Sequence, residues 1–586
     1  MNTRLTFLGA ALLCLALQFF IPASVSAQTY RLTWGDEMKF KKGTTDLDML
    51  MADNTGVFLT ESRLRMKAYF VIGATFGTSI KLMKLDKNFA EVYDKEYKKE
   101  LKGLDFHSFQ PLDGELYMFA TDYDKKAREF IVLAAKIDRN NGDLVGDFTE
   151  VGRYPQESKR DDFEMKVTPT QNGKSFLLVC NISGKDRVSI GVSLLDRSFK
   201  KKEGTTINLN YDPAYYSLED VKYTSSGKIV LLGKESEESQ WGKKKKKRIV
   251  FKQYSIAVFN MKGKKEADVN MNVADRFVIS GKLLEGPTGE MLLAGFYSNT
   301  AKKEDLNGFF INKLDLQKGE LSLSSFKAIS ADMLGQAVVD DNDDDEEIKE
   351  NKKQAKKAKD NDDEEEFPNS FIIKSVNINP VDSSIVITSE VSQYTHYSYY
   401  ESHYNPATKT YTGRWVHIHR FTNKDILVIN ADKNGGIRWL NALAKSQLEE
   451  IRTSSSSGGS GISIGFDYSG YFANGGGMPY YSSFISFMNA GKLIFVFNDH
   501  TSNNVNPEYG TKVKTVYNFR KRSNVYGVSV DLATGKMTRK TITSNNEETI
   551  LMPRHAMVVG SEIFVPSWRQ HLMAKTEFKI AKIAVK

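Results

Sequence analysis

Eight times along this chain a tight turn is followed at once by a short apolar strand. The unit appears as Asn54-Thr55-Gly56-Val57-Phe58-Leu59 and as Asp113-Gly114-Glu115-Leu116-Tyr117-Met118. It returns at Asn172-Gly173-Lys174-Ser175-Phe176-Leu177, Ser226-Gly227-Lys228-Ile229-Val230-Leu231 and Thr288-Gly289-Glu290-Met291-Leu292-Leu293. Asp382-Ser383-Ser384-Ile385-Val386-Ile387 repeats it without glycine, and Gly491-Lys492-Leu493-Ile494 and Gly560-Ser561-Glu562-Ile563 complete the set. The first five glycines are 58, 59, 54 and 62 residues apart. A period of this length signals a repeat architecture. After each of the first seven units comes an apolar residue, then Asp or Asn, then a turn and another strand: Leu85-Asp86, Ile137-Asp138, Leu195-Asp196, Phe259-Asn260, Leu314-Asp315, Ile429-Asn430 and Val530-Asp531. Asp and Asn bond their own turn backbone, and Gly supplies the positive φ of a tight hairpin. Two hairpins per repeat make one four-stranded antiparallel sheet. Stacked radially, such sheets form a β-propeller, which leaves only short, protected edges. The fold class is therefore all-β, a single propeller of eight four-stranded blades, with seven as the alternative if one widened unit is misread.

The ends of the chain suit one another. The eighth unit stops one strand short, at Lys579-Ile580-Ala581-Lys582-Ile583-Ala584-Val585, while Thr29-Tyr30-Arg31-Leu32-Thr33-Trp34 is a strand with no local partner. Closure by the N-terminal strand follows, with two propellers or paired sandwiches as the other arrangements of so many strands. Two inserts widen the spacing. Residues 335–367 include Asp340 to Glu366, with 14 acidic and 6 basic residues in blocks, which is the composition of a disordered, solvated loop. Asp341-Asn342-Asp343-Asp344-Asp345 lacks the Gly and distal Glu of a calcium loop. Residues 453–478 are rich in Ser and Gly and read as a mobile loop. Between the inserts, Leu440 to Ile451 carries the best helical spacing in the chain.

The N-terminus gives an address. Met1-Asn2-Thr3-Arg4 is a cationic start, Leu5 to Ile21 an apolar run, and Ala23-Ser24-Val25-Ser26-Ala27 places small residues before Gln28. That is the three-part pattern of a secretion signal over 1–27, with an uncleaved anchor as the alternative. Residues 28–586 form the propeller, exported to the periplasm or beyond. No later run matches a spanning helix. Once the signal is removed, Cys180 is the one cysteine, in the apolar strand Phe176-Leu177-Leu178-Val179-Cys180, and reads as core. The formal charge of +8 is small for 586 residues and its signs are interspersed, which gives no nucleic-acid footprint. Lys243 to Lys247 with Arg248 is a basic run of the kind found at solvated hairpin tips.

Candidate chemistry is sparse. Gly461-Ile462-Ser463-Ile464-Gly465 spells a nucleophile elbow but lacks the following helix that the elbow needs. His396, His403, His417 and His419 cluster, with Glu401 nearby, yet show no HExxH or paired-cysteine pattern, so neither a metal nor a cofactor is expected. The same stretch holds Tyr394, Tyr397, Tyr399, Tyr400, Tyr404, Tyr411 and Trp415. Tyr and Trp present an apolar ring with a wet polar tip, which suits a recognition surface. The ligand-facing set is thus Tyr394, His396, Tyr397, Tyr399, Tyr400, His403, Tyr404, Trp415, His417 and His419. The partner would be a protein or glycan of the cell envelope, bound by a monomer. The alternative reading is a propeller hydrolase or lyase acting on polysaccharide, with the histidines and Glu401 as acid and base.

Asp531-Leu532-Ala533-Thr534-Gly535-Lys536 resembles the D-x-x-T-G-K turn of quinoprotein-type eight-bladed propellers. Here Met537-Thr538 follows instead of the docking tryptophan, and the vicinal cysteines of the quinone-dependent enzymes are absent. The resemblance implies the shape without the cofactor, as in non-enzymatic propeller scaffolds of the bacterial envelope. The opening Trp34-Gly35-Asp36-Glu37-Met38-Lys39 is similar to the start of uncharacterised secreted bacterial proteins and implies no activity.

Overall fold

In the computed structural model the described residues are 29–586, except 41–43, 69–73, 160, 171–172, 186, 242–245, 270–275, 287–289, 301–305, 339–352, 355, 357–364, 367–369, 407–408, 457–478, 505–509, 546–548 and 570–575. Alternating apolar strands and tight turns assemble into eight antiparallel blades. Blades 1 to 3 are Thr44–Asp53 to Glu91–Glu96, Asp105–Leu112 to Leu144–Pro155 and Asp162–Pro169 to Lys201–Leu209. Blades 4 to 6 are Tyr216–Tyr223 to Lys265–Val269, Phe277–Glu285 to Glu320–Ala328 and Ser370–Ile378 to Ile437–Leu443. Blade 7 runs from Phe484–Asn489 to Met537–Ser544. Blade 8 takes Ile550–Leu551 and Met557–Val559 as its inner edge, then Glu562–Arg569 and Thr576–Val585. Its outer strand is Tyr30–Trp34 from the other end of the chain, paired from Tyr30↔Val585 to Trp34↔Ala581. Met38–Phe40 continues along the same edge, with Met38 opposite Phe578.

The central strands are apolar on both faces because each blade is covered by two neighbours. Every residue of Val188–Leu195 and of Met291–Ser298 is buried. Cys180 lies in one such strand, bonded to Tyr154, and burial pushes its thiol up to about 12. A separate apolar core fills each of the eight junctions between consecutive blades. The junction that closes the ring packs Leu47, Leu59 and Met83 of blade 1 against Trp568, Phe578 and Ile580 of blade 8. There His555 also bonds Asp48 through Nδ1 at 2.6 Å. Tyr30 lies over Gly527 of blade 7, where a side chain would displace it.

Antiparallel order places the turn between strands one and two, and the turn between strands three and four, on the same face of the ring. Both sequence motifs therefore lie on that face. At the first turn Gly56, Gly114, Gly173, Gly227, Gly491 and Gly560 all have positive φ. Ser383, where the repeat lacks glycine, takes φ 57° in their place. At the second turn the carboxylates or amides of Asp86, Asp196, Asn260 and Asp315 accept backbone N–H bonds. In blade 6 that role falls to Asp432, and Asn430 is buried two residues earlier. The longer excursions leave from the opposite face.

Two expectations need correction or restriction. Leu440 to Ile451 is not a helix: Ile437–Leu443 is the outer strand of blade 6, and Gln447–Ser456 is a further strand. Of the acidic insert, Gln336–Val338 pairs in parallel with Lys512–Lys514, and Glu365–Glu366 pairs with blade 6. Most of its charged blocks lie outside the described residues, as do the G-x-S-x-G match, residues 457–478 and the tip of the basic run. Among the described residues no helix is long and apolar enough to cross a membrane.

Candidate functional site

The second and third strands of blade 6, Ile385–Asn405 and Thr410–Ala431, are much longer than a blade requires. They pair at 20 positions, with one register shift between Glu390 and Ser392. Their inner half is flanked by Ser370–Ile378 and Ile437–Leu443, as in any blade. Farther out the flanks change to Glu365–Glu366 and Gln447–Ser456. The same two strands thus build a second sheet that projects from the excursion face.

Strand alternation sorts the predicted residues by parity. One face carries Tyr394, His396, Tyr400 and Tyr404 opposite Phe421, His419, Trp415 and Tyr411, with His417 opposite Ser398. Near the ring this face is closed. His419 is buried and its Nδ1 lies 2.9 Å from the Tyr394 hydroxyl. The His396 ring stacks at 4.9 Å on His419 and 5.7 Å on His417. Toward the tip the face opens: Tyr400 is 54% exposed, Trp415 45%, Tyr404 51% and Tyr411 75%. Tyr400 meets Trp415 edge-on at 5.6 Å and 66°, and Tyr404 meets Tyr411 at 5.0 Å and 50°. Tyr400 can lie down because Gly413 has no side chain beneath it.

The other face is packed. Tyr397 is 1% exposed in a small core with Val416 and Ile418, and Tyr399 packs against it. The Arg420 guanidinium caps the Tyr397 ring at 5.5 Å and binds Glu450 at 2.7 Å. Tyr397 therefore supports the hairpin and offers no contact area. His403 pairs with Thr412, and Glu401 binds Arg452 at 3.0 Å. Glu401 thus sits on the face away from His396 and His417, so those three groups do not converge. No group of three or more His, Cys, Asp or Glu side chains able to hold a metal occurs among the described residues.

The base of the hairpin rests on a buried polar network with no counterpart in the sequence reading. Glu390 and Lys445 are fully buried and pair at 2.7 Å. Glu390 also accepts from Ser483 at 2.6 Å and meets Lys374 at 3.1 Å. Burial would raise Glu390, but Lys445 and Lys374 outweigh it and hold the carboxyl below its usual range. Glu449 accepts the backbone N–H groups of Tyr480, Tyr481 and Ser482 at 2.7–2.9 Å, yet burial still raises it. Asn498 donates to Tyr481 and Leu551 carbonyls, joining blades 7 and 8, and Arg539 binds Asp499 at 2.6 Å. This arrangement is structural: each of these charges has an opposite charge or a set of donors.

No family model matches the chain, and no curated protein does. Solved structures similar to it include the β-propeller domain of the Trilobed protease from Pyrococcus furiosus, at 11% identity over 70% of this chain and 97% of that one, with a TM-score of 0.28. Prolyl oligopeptidase B from Galerina marginata matches at 10% identity and a TM-score of 0.26, over 64% of this chain and 39% of that one. A thermostable family-43 glycoside hydrolase matches at 12% and 0.23, over 50% and 96%. Scores this low say nothing of activity. The propeller stands on the strand pairing itself.

Proposed function

We propose that this is an exported, non-catalytic propeller that binds a protein of the cell envelope through the aromatic tip of the blade 6 hairpin. The observation that carries the reading is the graded face. The same strand positions that are buried near the ring become four exposed aromatic rings at the tip, on a sheet braced from behind by its own core. Exposed aromatics gathered in one patch mark interaction surfaces. Tyr and Trp dominate binding hot spots. A protein is favoured over a glycan because the rings meet at 66° and 50° and so form no flat stacking platform.

The test replaces Tyr400, Tyr404, Tyr411 and Trp415 together by Ala and leaves Tyr397 and Tyr399 in place. The mature variant should fold with a native melting profile and lose affinity capture of its partner from native envelope extract. Each anchor typically contributes ~2 kcal/mol or more. Release of the captured partner by soluble oligosaccharide would favour a glycan ligand instead. Native-like variant protein that captures its partner at wild-type strength would overturn the proposal.

A further inference from the structure

The first strand of each blade is its inner edge, so these strands line the axis of the ring. On blades 3, 4 and 5 they carry Lys166, Lys222 and Lys282. Lys166 pairs with Val179 and Lys282 with Ala294, each three pairs in from the tight-turn end of its blade. Lys222 pairs with Val230, nearer that end. One carboxylate stands among them. Asp220 Oδ2 lies 3.8 Å from Lys222 and also accepts the backbone N–H of Leu283 at 3.3 Å, which ties blade 4 to blade 5. Of the other carboxylates on the first two strands, Glu164 accepts from Asn181 and Glu219 from Ser217, and Asp162 pairs with Ser183 at the end of its strand away from the tight turn. Asp220 is thus the carboxylate that the charges of both Lys222 and Lys282 meet. Lys282 registers the imbalance. Burial holds it below the ordinary lysine range; Asp220 opposes that shift, and Lys222 and Lys166 add to it.

We infer that this sector of the channel wall, Lys166, Lys222 and Lys282 around Asp220, is a binding site for an oxyanion, a phosphate or carboxylate group presented by a ligand entering the axis. The three lysines approach from separate strands, so one multivalent anion can meet them together. An anion there would relieve their mutual repulsion, and charge-assisted hydrogen bonds are the stronger kind. The edges of the same strands add backbone N–H donors of the kind that bind anions elsewhere. This site is independent of the hairpin surface, which lies on another sheet.

The experiment is calorimetric titration of the mature protein at low ionic strength with pyrophosphate and, separately, with citrate. Lys282→Met and Lys166→Met are compared with Lys136→Met, a control on the tight-turn face. The wild type should bind at least one of the two anions, and the control should match it. Each channel variant should weaken binding ~10-fold or more, the loss of one charge-assisted contact. Pyrophosphate binding alone would identify a phosphate site, and citrate binding alone a carboxylate site. Lys166 is exposed, so Lys166→Met keeps the test open should Lys282→Met fold poorly. Absence of binding to either anion, or an equal loss in Lys136→Met, would overturn the inference.

Discussion

The pair Glu390–Lys445 offers a worked test of the hairpin's foundation. Both side chains are fully buried, and 2.7 Å separates Lys445 Nζ from Glu390 Oε1. Lys445→Met keeps the volume and removes the charge. Breaking a buried pair from one side costs ~3–5 kcal/mol, because the remaining charge stays buried. Glu390 would retain Ser483 at 2.6 Å and Lys374 at 3.1 Å, which places the expected loss near the lower end, ~3 kcal/mol. Glu390→Gln in the same chain removes the stranded buried carboxylate and leaves only Lys374, which is partly exposed, without that partner. The double variant should therefore recover most of the loss, with a coupling of ~2 kcal/mol. Urea unfolding followed by fluorescence should rank the proteins wild type, double variant, Lys445→Met by midpoint. Midpoints are the right comparison, since a ring this long need not unfold in one step. Simple addition of the two single effects would refute the reasoning, and so would a Lys445→Met midpoint equal to wild type.

Removing residues 28–40 strips the outer strand from blade 8 and withdraws Tyr30 and Leu32 from the core they share with Ile583 and Val585. The loss should be on the order of 3 kcal/mol, with a new sheet edge that promotes aggregation; melting like a chain that keeps these residues would refute closure by this strand. Asp425 is raised from 3.8 to about 6, first by burial, while the backbone N–H groups of Lys445 and Gly335 and the Lys445 charge pull it back. A raised carboxyl contributes stability below its unfolded pKa and loses it as pH rises through about 6, a penalty of ~3 kcal/mol above that point. Asp425→Asn should then gain stability relative to wild type between about pH 4 and about pH 7, the span over which the shift from 3.8 to about 6 acts, as thermal melts at the two values would show; a pH-independent difference would count against it. Cys180 should resist Ellman's reagent in the native protein and react only after unfolding; prompt native labelling would contradict its burial.

The fold was legible where local chemistry decides it. A glycine at positive φ, or an Asp bonding its own turn, leaves the same mark in repeat after repeat among the described residues, and even the blade without glycine kept the turn through Ser383. Closure was legible because an orphan strand at one end matched a vacancy at the other. The segment from Leu440 to Ile451 misled because its apolar spacing suits a helix, whereas the long strand Thr410–Ala431 recruits it twice as a strand partner. Tertiary pairing outweighs local propensity there. The aromatic cluster was visible as composition. Which rings face water was set by parity along the hairpin, and that separates Tyr397 from Tyr400. The buried network left no signal, since Asp499 meets Arg539 across 40 residues and Glu390 meets Ser483 across 93. Distant, singly placed charges have no periodicity.

The claim that the hairpin tip is where this protein meets its partner is tested most directly by site-specific photocross-linking in the native host. A photoreactive phenylalanine analogue would replace Tyr404 at the tip, or Val92, which is 49% exposed on the outer strand of blade 1. Irradiation should yield one discrete cross-linked protein species from position 404 and none from position 92. No adduct at 404, or the same adduct from both positions, would contradict the account.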